Sequence, residues 1–154
     1  MKSILLVCIL FLLGACASVN GNRGSPESEL AARNVADYAV SLTGIRYKYG
    51  GNSPENGFDC SGFVGHVFRH ALAIDLPRSS EQMSRLGRTI SVGNLRIGDL
   101  VFFNTLHRKF SHVGIYLGED LFIHAPSTST GSVRTENIRE SYWKNHYNGA
   151  RRIT

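Results

Sequence analysis

The stretch GFDCSGFVGHVF, residues 57–68, places a cysteine where a glycine-bearing loop turns into an apolar, helix-like run. Asp59 is a strong helix-capping residue, so a helix is predicted to begin near Cys60. Phe63, Val64, Val67, Phe68 and Ala71 recur at helical spacing and form its buried face. Cys60 therefore falls in a first helical turn, where backbone N–H groups are free and the helix dipole is positive. Both favour thiolate over thiol, so the pKa is expected below its free value of about 8.5. The same N–H groups suit an oxyanion formed on an attacked carbonyl.

The other two cysteines lie at the start of the chain. Met1-Lys2-Ser3 is a short basic segment, and an apolar run of about ten residues follows, right for a secretory leader and short for a membrane span. It ends in Leu13-Gly14-Ala15-Cys16, which resembles the bacterial lipoprotein cleavage box. We expect residues 1–15 to be a signal peptide and Cys16 to become a lipidated N-terminus. Residues 16–26, small and polar, then form a tether, and residues 27–154 one domain. Several acyl chains, at about 0.8 kcal/mol per buried methylene, would hold such a protein on a membrane. Ala17 is not the aspartate of an inner-membrane retention signal, which favours the inner leaflet of an outer membrane. Cys8 would leave with the leader, so Cys60 stands without a disulfide partner in an oxidising compartment.

Without Lys2 the chain carries sixteen lysines and arginines against twelve acidic residues. The mild positive excess suits a polyanionic partner such as cell-wall peptide carboxylates. No dense basic run with interleaved aromatics points to nucleic acid.

Ahead of Cys60, Ser25-Pro26-Glu27 has the form of a helix start, and Leu30, Val35, Tyr38, Ala39 and Leu42 supply a rough helical stripe that Gly44 can end. Leu76-Pro77 is expected to break the Cys60 helix, and Ser79 and Gln82 are spaced as the capping box of a short helix reaching Leu86. The pattern then changes to strands at residues 99–103, 112–117 and 121–125, with weaker ones at 133–136 and 150–153. Helices first and an antiparallel sheet after define an α+β domain.

A thiol nucleophile needs a base. If Gly118-Glu119-Asp120 is the turn between two strands and Leu117 pairs with Leu121, His124 falls opposite Gly114. It then shares a face with His112, about 7–8 Å away along the diagonal, and Gly114 leaves room for the two imidazoles to meet. One could serve as base for Cys60 and the other orient it. A slip of one residue would put them on opposite faces. Zinc is a competing use of Cys60, His112 and His124, but paired C-x-x-C spacing and a fourth ligand are missing. His66 and His70 lie four apart on one helix and read as a solvated face. His107 and His146 carry no signal.

These residues resemble the NlpC-type cell-wall cysteine peptidases, which have a compact papain-like fold. The resemblance lies in GIRYKYGG at 44–51, GFDCSGFV at 57–64, LRIGDLVFF at 95–103, SHVGIYLG at 111–118, FIHAPS at 122–127 and YWKNHYNGARRI at 142–153. It implies N-terminal helices packed on an antiparallel sheet, with Cys60 as nucleophile, His112 as base and His124 as the third polar residue. It implies a role for Tyr47 at the oxyanion or substrate backbone, with Asp59 and Ser61 as supporting contacts. No metal or cofactor is implied. The implied substrate is the peptidoglycan stem peptide, cut at the D-glutamyl–diaminopimelate bond or at the diaminopimelate cross-link. The short tether leaves no room for the SH3-like domain that precedes many recyclers of free stem peptide, so the cross-link is favoured. A lipoprotein that binds wall peptides without turnover is the alternative, and an acyltransferase would use similar residues.

Overall fold

The computed structural model describes residues 24–126 and 131–154; the leader, Cys16, residues 17–23 of the tether and residue 127 lie outside that range. Helix α1 spans Pro26–Ser41. The Ser25 hydroxyl accepts from the Ser28 amide at 3.2 Å, Pro26 opens the first turn, and Glu27 and Glu29 face the positive end of the dipole. Val35, Ala39 and Leu42 are buried, while Leu30 is 60% exposed. Leu30 lies about 140° around the helix from Val35 at ~100° per residue, so it falls off the stripe expected of it.

The Cys60 helix, α2, spans Cys60–Leu72 and buries Phe63, Val64, Val67 and Phe68. It ends four residues before the expected breaker, because Ala73 takes a left-handed conformation and its amide and that of Ile74 close on Arg69 and Phe68 carbonyls. A two-stranded ribbon, β1 (Asn52–Ser53) and β2 (Gly57–Phe58), precedes α2. The Ser79 helix, α3, is confined to Ser80–Met83, with the Ser79 hydroxyl accepting from the Gln82 amide.

The remaining strands are β3 (Arg88–Ile90), β4 (Leu100–Phe103), β5 (His112–Gly118), β6 (Leu121–His124), β7 (Arg134–Asn137) and β8 (Tyr147–Arg152). Together they form one antiparallel sheet in the order β3-β8-β4-β5-β6-β7. A short helix, α4 (Ser141–His146), stands between β7 and β8. The protein is thus α+β. Leu100, Phe102, Val113, Ile115 and Ile123 face α1 and α2, while Val101, Phe103, Tyr116 and Phe122 face Trp143 of α4. The second apolar layer had no counterpart in the sequence reading.

His70 is exposed, as expected of a solvated face, whereas His66 is half-buried. The Tyr38 hydroxyl lies 3.0 Å from His66 Nε2, and the Tyr38 ring stacks on both imidazoles where α1 crosses α2. At the far end of the sheet Asp99, expected at the start of β4, sits just before it and is 1% exposed. Its carboxylate accepts the Arg96 amide at 2.8 Å and two bonds at 2.7 Å from the Arg152 guanidinium. Removing one partner leaves a buried uncompensated charge, costing about 3 kcal/mol. Arg152→Met should therefore lower urea-unfolding stability by about that amount, while a loss under ~0.5 kcal/mol would show the pair to be incidental.

Candidate active site

Cys60 occupies the first position of α2. The helix tip is tightly wrapped. The Asp59 amide donates to the Gly51 carbonyl at 3.1 Å, and a Cβ on Gly62 would lie 2.0 Å from that oxygen, so only glycine fits there. Asp59 Oδ1 accepts the Gly62 amide at 2.7 Å, and Oδ2 accepts the Gly50 amide at 3.0 Å. Arg78, just before α3, places a guanidinium fork on the same carboxylate at 2.9 and 2.7 Å. The Ser61 hydroxyl donates to the Arg78 carbonyl at 2.7 Å and accepts from its Nη1 at 2.8 Å. Asp59 and Ser61, expected as supporting substrate contacts, are buried and spend their hydrogen bonds inside the fold.

The histidines come from the sheet. β5 and β6 pair Ile115 with Ile123 and Tyr116 with Phe122, the register in which His124 faces Gly114. A bulge brings Gly118, rather than Leu117, opposite Leu121, and Glu119 and Asp120 turn the chain with positive φ. A Cβ on Gly114 would come 3.2 Å from His124 Cβ and 2.9 Å from the Ile123 carbonyl, so the glycine keeps open the space into which the rings lean. His112 Nε2 lies 2.7 Å from His124 Nδ1, with the rings perpendicular. His112 keeps Nδ1 for another partner. The amide of Val113, its chain neighbour, faces the Cys60 sulfur, as do those of Ser61 and Cys60 itself. Helix tip and strand start therefore meet at the thiol.

Trp143 went unread in the sequence because α4 is too short to show a period. Its ring stacks on His112, with centroids 5.8 Å apart, and meets His124 edge-on at 4.9 Å. With Phe122 and Phe103 it walls the imidazole pair from water. Tyr47 is part-buried, bridges to Phe58, and lies close enough to Cys60 to feel its charge. Burial, then Cys60 and Asp59, push its phenol up, so it stays a hydrogen-bond donor.

The electrostatics reverse one expectation. Cys60 keeps partial exposure, yet burial and then the Asp59 carboxylate push its thiol up to about 11, outweighing the N–H groups at the helix tip. Burial also drives His112 down to about 4, and burial, His112 and Arg134 hold His124 well below its ordinary value. At neutral pH the resting site is a neutral thiol beside a neutral imidazole. An unfolded chain takes up protons on these histidines near pH 6.5, whereas in the folded protein His112 binds its proton only near 4 and His124 is likewise held well below its ordinary value. Their contribution to stability is present above 6.5 and lost as pH falls through that window. Urea midpoints measured from pH 7 to 5 should fall steadily, and less steeply in His112→Phe; equal slopes would place His112 in a solvated setting.

A model of the NlpC/P60 family matches residues 44–152. The murein DD-endopeptidase MepS/murein LD-carboxypeptidase of Escherichia coli (strain K12) is 37% identical, across 99% of this chain and 92% of its own length. The probable endopeptidase NlpC homolog of Haemophilus influenzae is 44% identical, across 91% of this chain and 72% of its own. A crystal structure of an NlpC/P60 family protein from Bacillus cereus superposes with a TM-score of 0.72 at 33% identity, over 79% of this chain and 40% of that one. The helix-tip cysteine, the imidazole pair on adjacent strands and these similarities agree: the chain belongs to the NlpC/P60 family, among relatives named as endopeptidases, the Escherichia coli one as a murein endopeptidase.

Proposed function

We propose that this protein is a cysteine endopeptidase that hydrolyses amide bonds in peptidoglycan stem peptides, with Cys60 as nucleophile, His112 as general base and acid, and His124 as the group that orients His112. The observation that carries the reading is the 2.7 Å contact between His112 Nε2 and His124 Nδ1, beside a strand start whose next amide faces the Cys60 sulfur. If His112 donates from Nε2 to His124, its Nδ1 lone pair is left for the thiol proton. Sulfur attacks the peptide carbonyl as that proton passes to Nδ1, so charge forms only once substrate is in place. Backbone N–H groups at the helix tip and the Tyr47 hydroxyl receive the oxyanion. The amide C–N bond then breaks, with His112 giving its proton to the leaving amine. Water adds to the thioester and returns the thiol.

The diaminopimelate cross-link is the favoured bond, supported by the name of the Escherichia coli relative, which matches nearly the whole chain. Residues 1–15 serve as a lipoprotein signal and Cys16 as the acylated N-terminus, holding the domain (residues 27–154) at the inner leaflet of the outer membrane, facing the wall. Mass spectrometry of muropeptides after incubation with the protein tests the reading. Cross-linked dimers should disappear without shortened monomers, and Cys60→Ala should abolish the loss. Shortened monomers would reassign the cut to the D-glutamyl bond. Unchanged muropeptides, with bound peptide still shielding Cys60 from alkylation, would make the protein a wall-peptide binder. In His112→Ala the rate should fall by at least ~10³-fold, the scale of losing a base that acts with its nucleophile.

A further inference from the structure

A carboxylate one residue ahead of a nucleophilic sulfur poses an electrostatic problem. Asp59 is 9% exposed, and its negative charge opposes both the Cys60 thiolate and the oxyanion that forms next to it. The fold keeps it because its oxygens hold the Gly62 and Gly50 amides and so shape the helix tip. We propose that Arg78 is a positioning residue for the reaction: its guanidinium both locks Asp59 in the capping geometry and cancels the charge that Asp59 would otherwise turn on Cys60. This rests on Cys60 being the nucleophile and goes beyond the reaction itself.

The geometry makes the cancellation efficient. Both carboxylate oxygens receive a guanidinium nitrogen, at 2.9 and 2.7 Å, and Nη1 also reaches the Ser61 hydroxyl at 2.8 Å, so the fork has one preferred pose. Asp59 is the shielded partner and Arg78 the half-exposed one, with side-chain exposures of 12% and 49%. The cation thus covers the carboxylate from the solvent side. Arg78 lies near enough to feel the Cys60 charge directly, and its own pKa rises through Asp59 first and Cys60 more weakly. Among the described residues, the charged or titratable groups around the thiol and its neighbouring arginine are Asp59 at the helix cap, Tyr47 and Tyr49 from the loop before β1, His112 on β5 and Arg78 before α3. With the histidine neutral, Arg78 is the one fixed cation among those five.

Alkylation of Cys60 by iodoacetamide, followed across pH in the whole protein, reads this directly. Arg78→Met should move the alkaline midpoint up by about one unit and slow modification at pH 7 about tenfold, in line with losing a nearby opposite charge. Arg78→Lys should recover most of the rate. Asp59→Asn alone should move the midpoint down, and Asp59→Asn with Arg78→Met should return it close to the parent value. A lower melting temperature with an unmoved midpoint in Arg78→Met would make the arginine merely structural and overturn the proposal. If Arg78→Met does not fold, an unmoved midpoint in Asp59→Asn overturns it equally. Failure of the peptidase reading is seen separately, as muropeptide cleavage that survives Cys60→Ala.

Discussion

Asp59 holds the end of α2 that the rest of the site is built against. Its carboxylate satisfies the Gly62 amide inside the helix and the Gly50 amide in the loop that crosses the tip. An uncapped helix end frays, and a nucleophile in its first turn would wander with it. The Gly51 carbonyl seals the arrangement, close enough to Gly62 that a methyl group there would collide with it. Helix tip, loop and the Arg78 segment are therefore one rigid unit, and the chemistry inherits its position from them.

Against this unit the sheet delivers the imidazoles. Strand pairing sets them on one face, and the missing side chain at Gly114 lets them close to 2.7 Å. Trp143 covers them, so both remain neutral. A dry, uncharged pair is costly to protonate at rest and well placed to take a proton once sulfur has a carbonyl to attack. The loss of stability in acid and the proposed readiness of the pair for catalysis thus share one cause, the burial of His112.

Much of this was visible before any coordinates. The caps at Ser25, Asp59 and Ser79 are local hydrogen-bonding patterns that side-chain type announces. The register joining His112 to His124 could be read only on the condition of a turn at residues 118–120; it holds from Tyr116 and Phe122 inward, although a bulge puts Gly118 opposite Leu121. Interactions that bridge distant parts of the chain without a period were hidden. Arg78 reaches back 19 residues to Asp59, and Asp99 waits for an arginine 53 residues later. Trp143 sits on a helix of six residues, too short to betray its buried face. The direction of the Cys60 shift was misjudged for a related reason. A helix dipole can be read from position alone, whereas desolvation depends on what packs against the sulfur.

The central claim is that His112 presents an unprotonated Nδ1 to Cys60 while Nε2–H is held by His124. Long-range ¹H–¹⁵N NMR of histidine-labelled protein at pH 7 reports this tautomer directly. The account predicts His112 as neutral imidazole with the proton on Nε2, unchanged down to about pH 5, well above its midpoint near 4. A proton on Nδ1, or an imidazolium titrating with the ordinary value near 6.5, would contradict it.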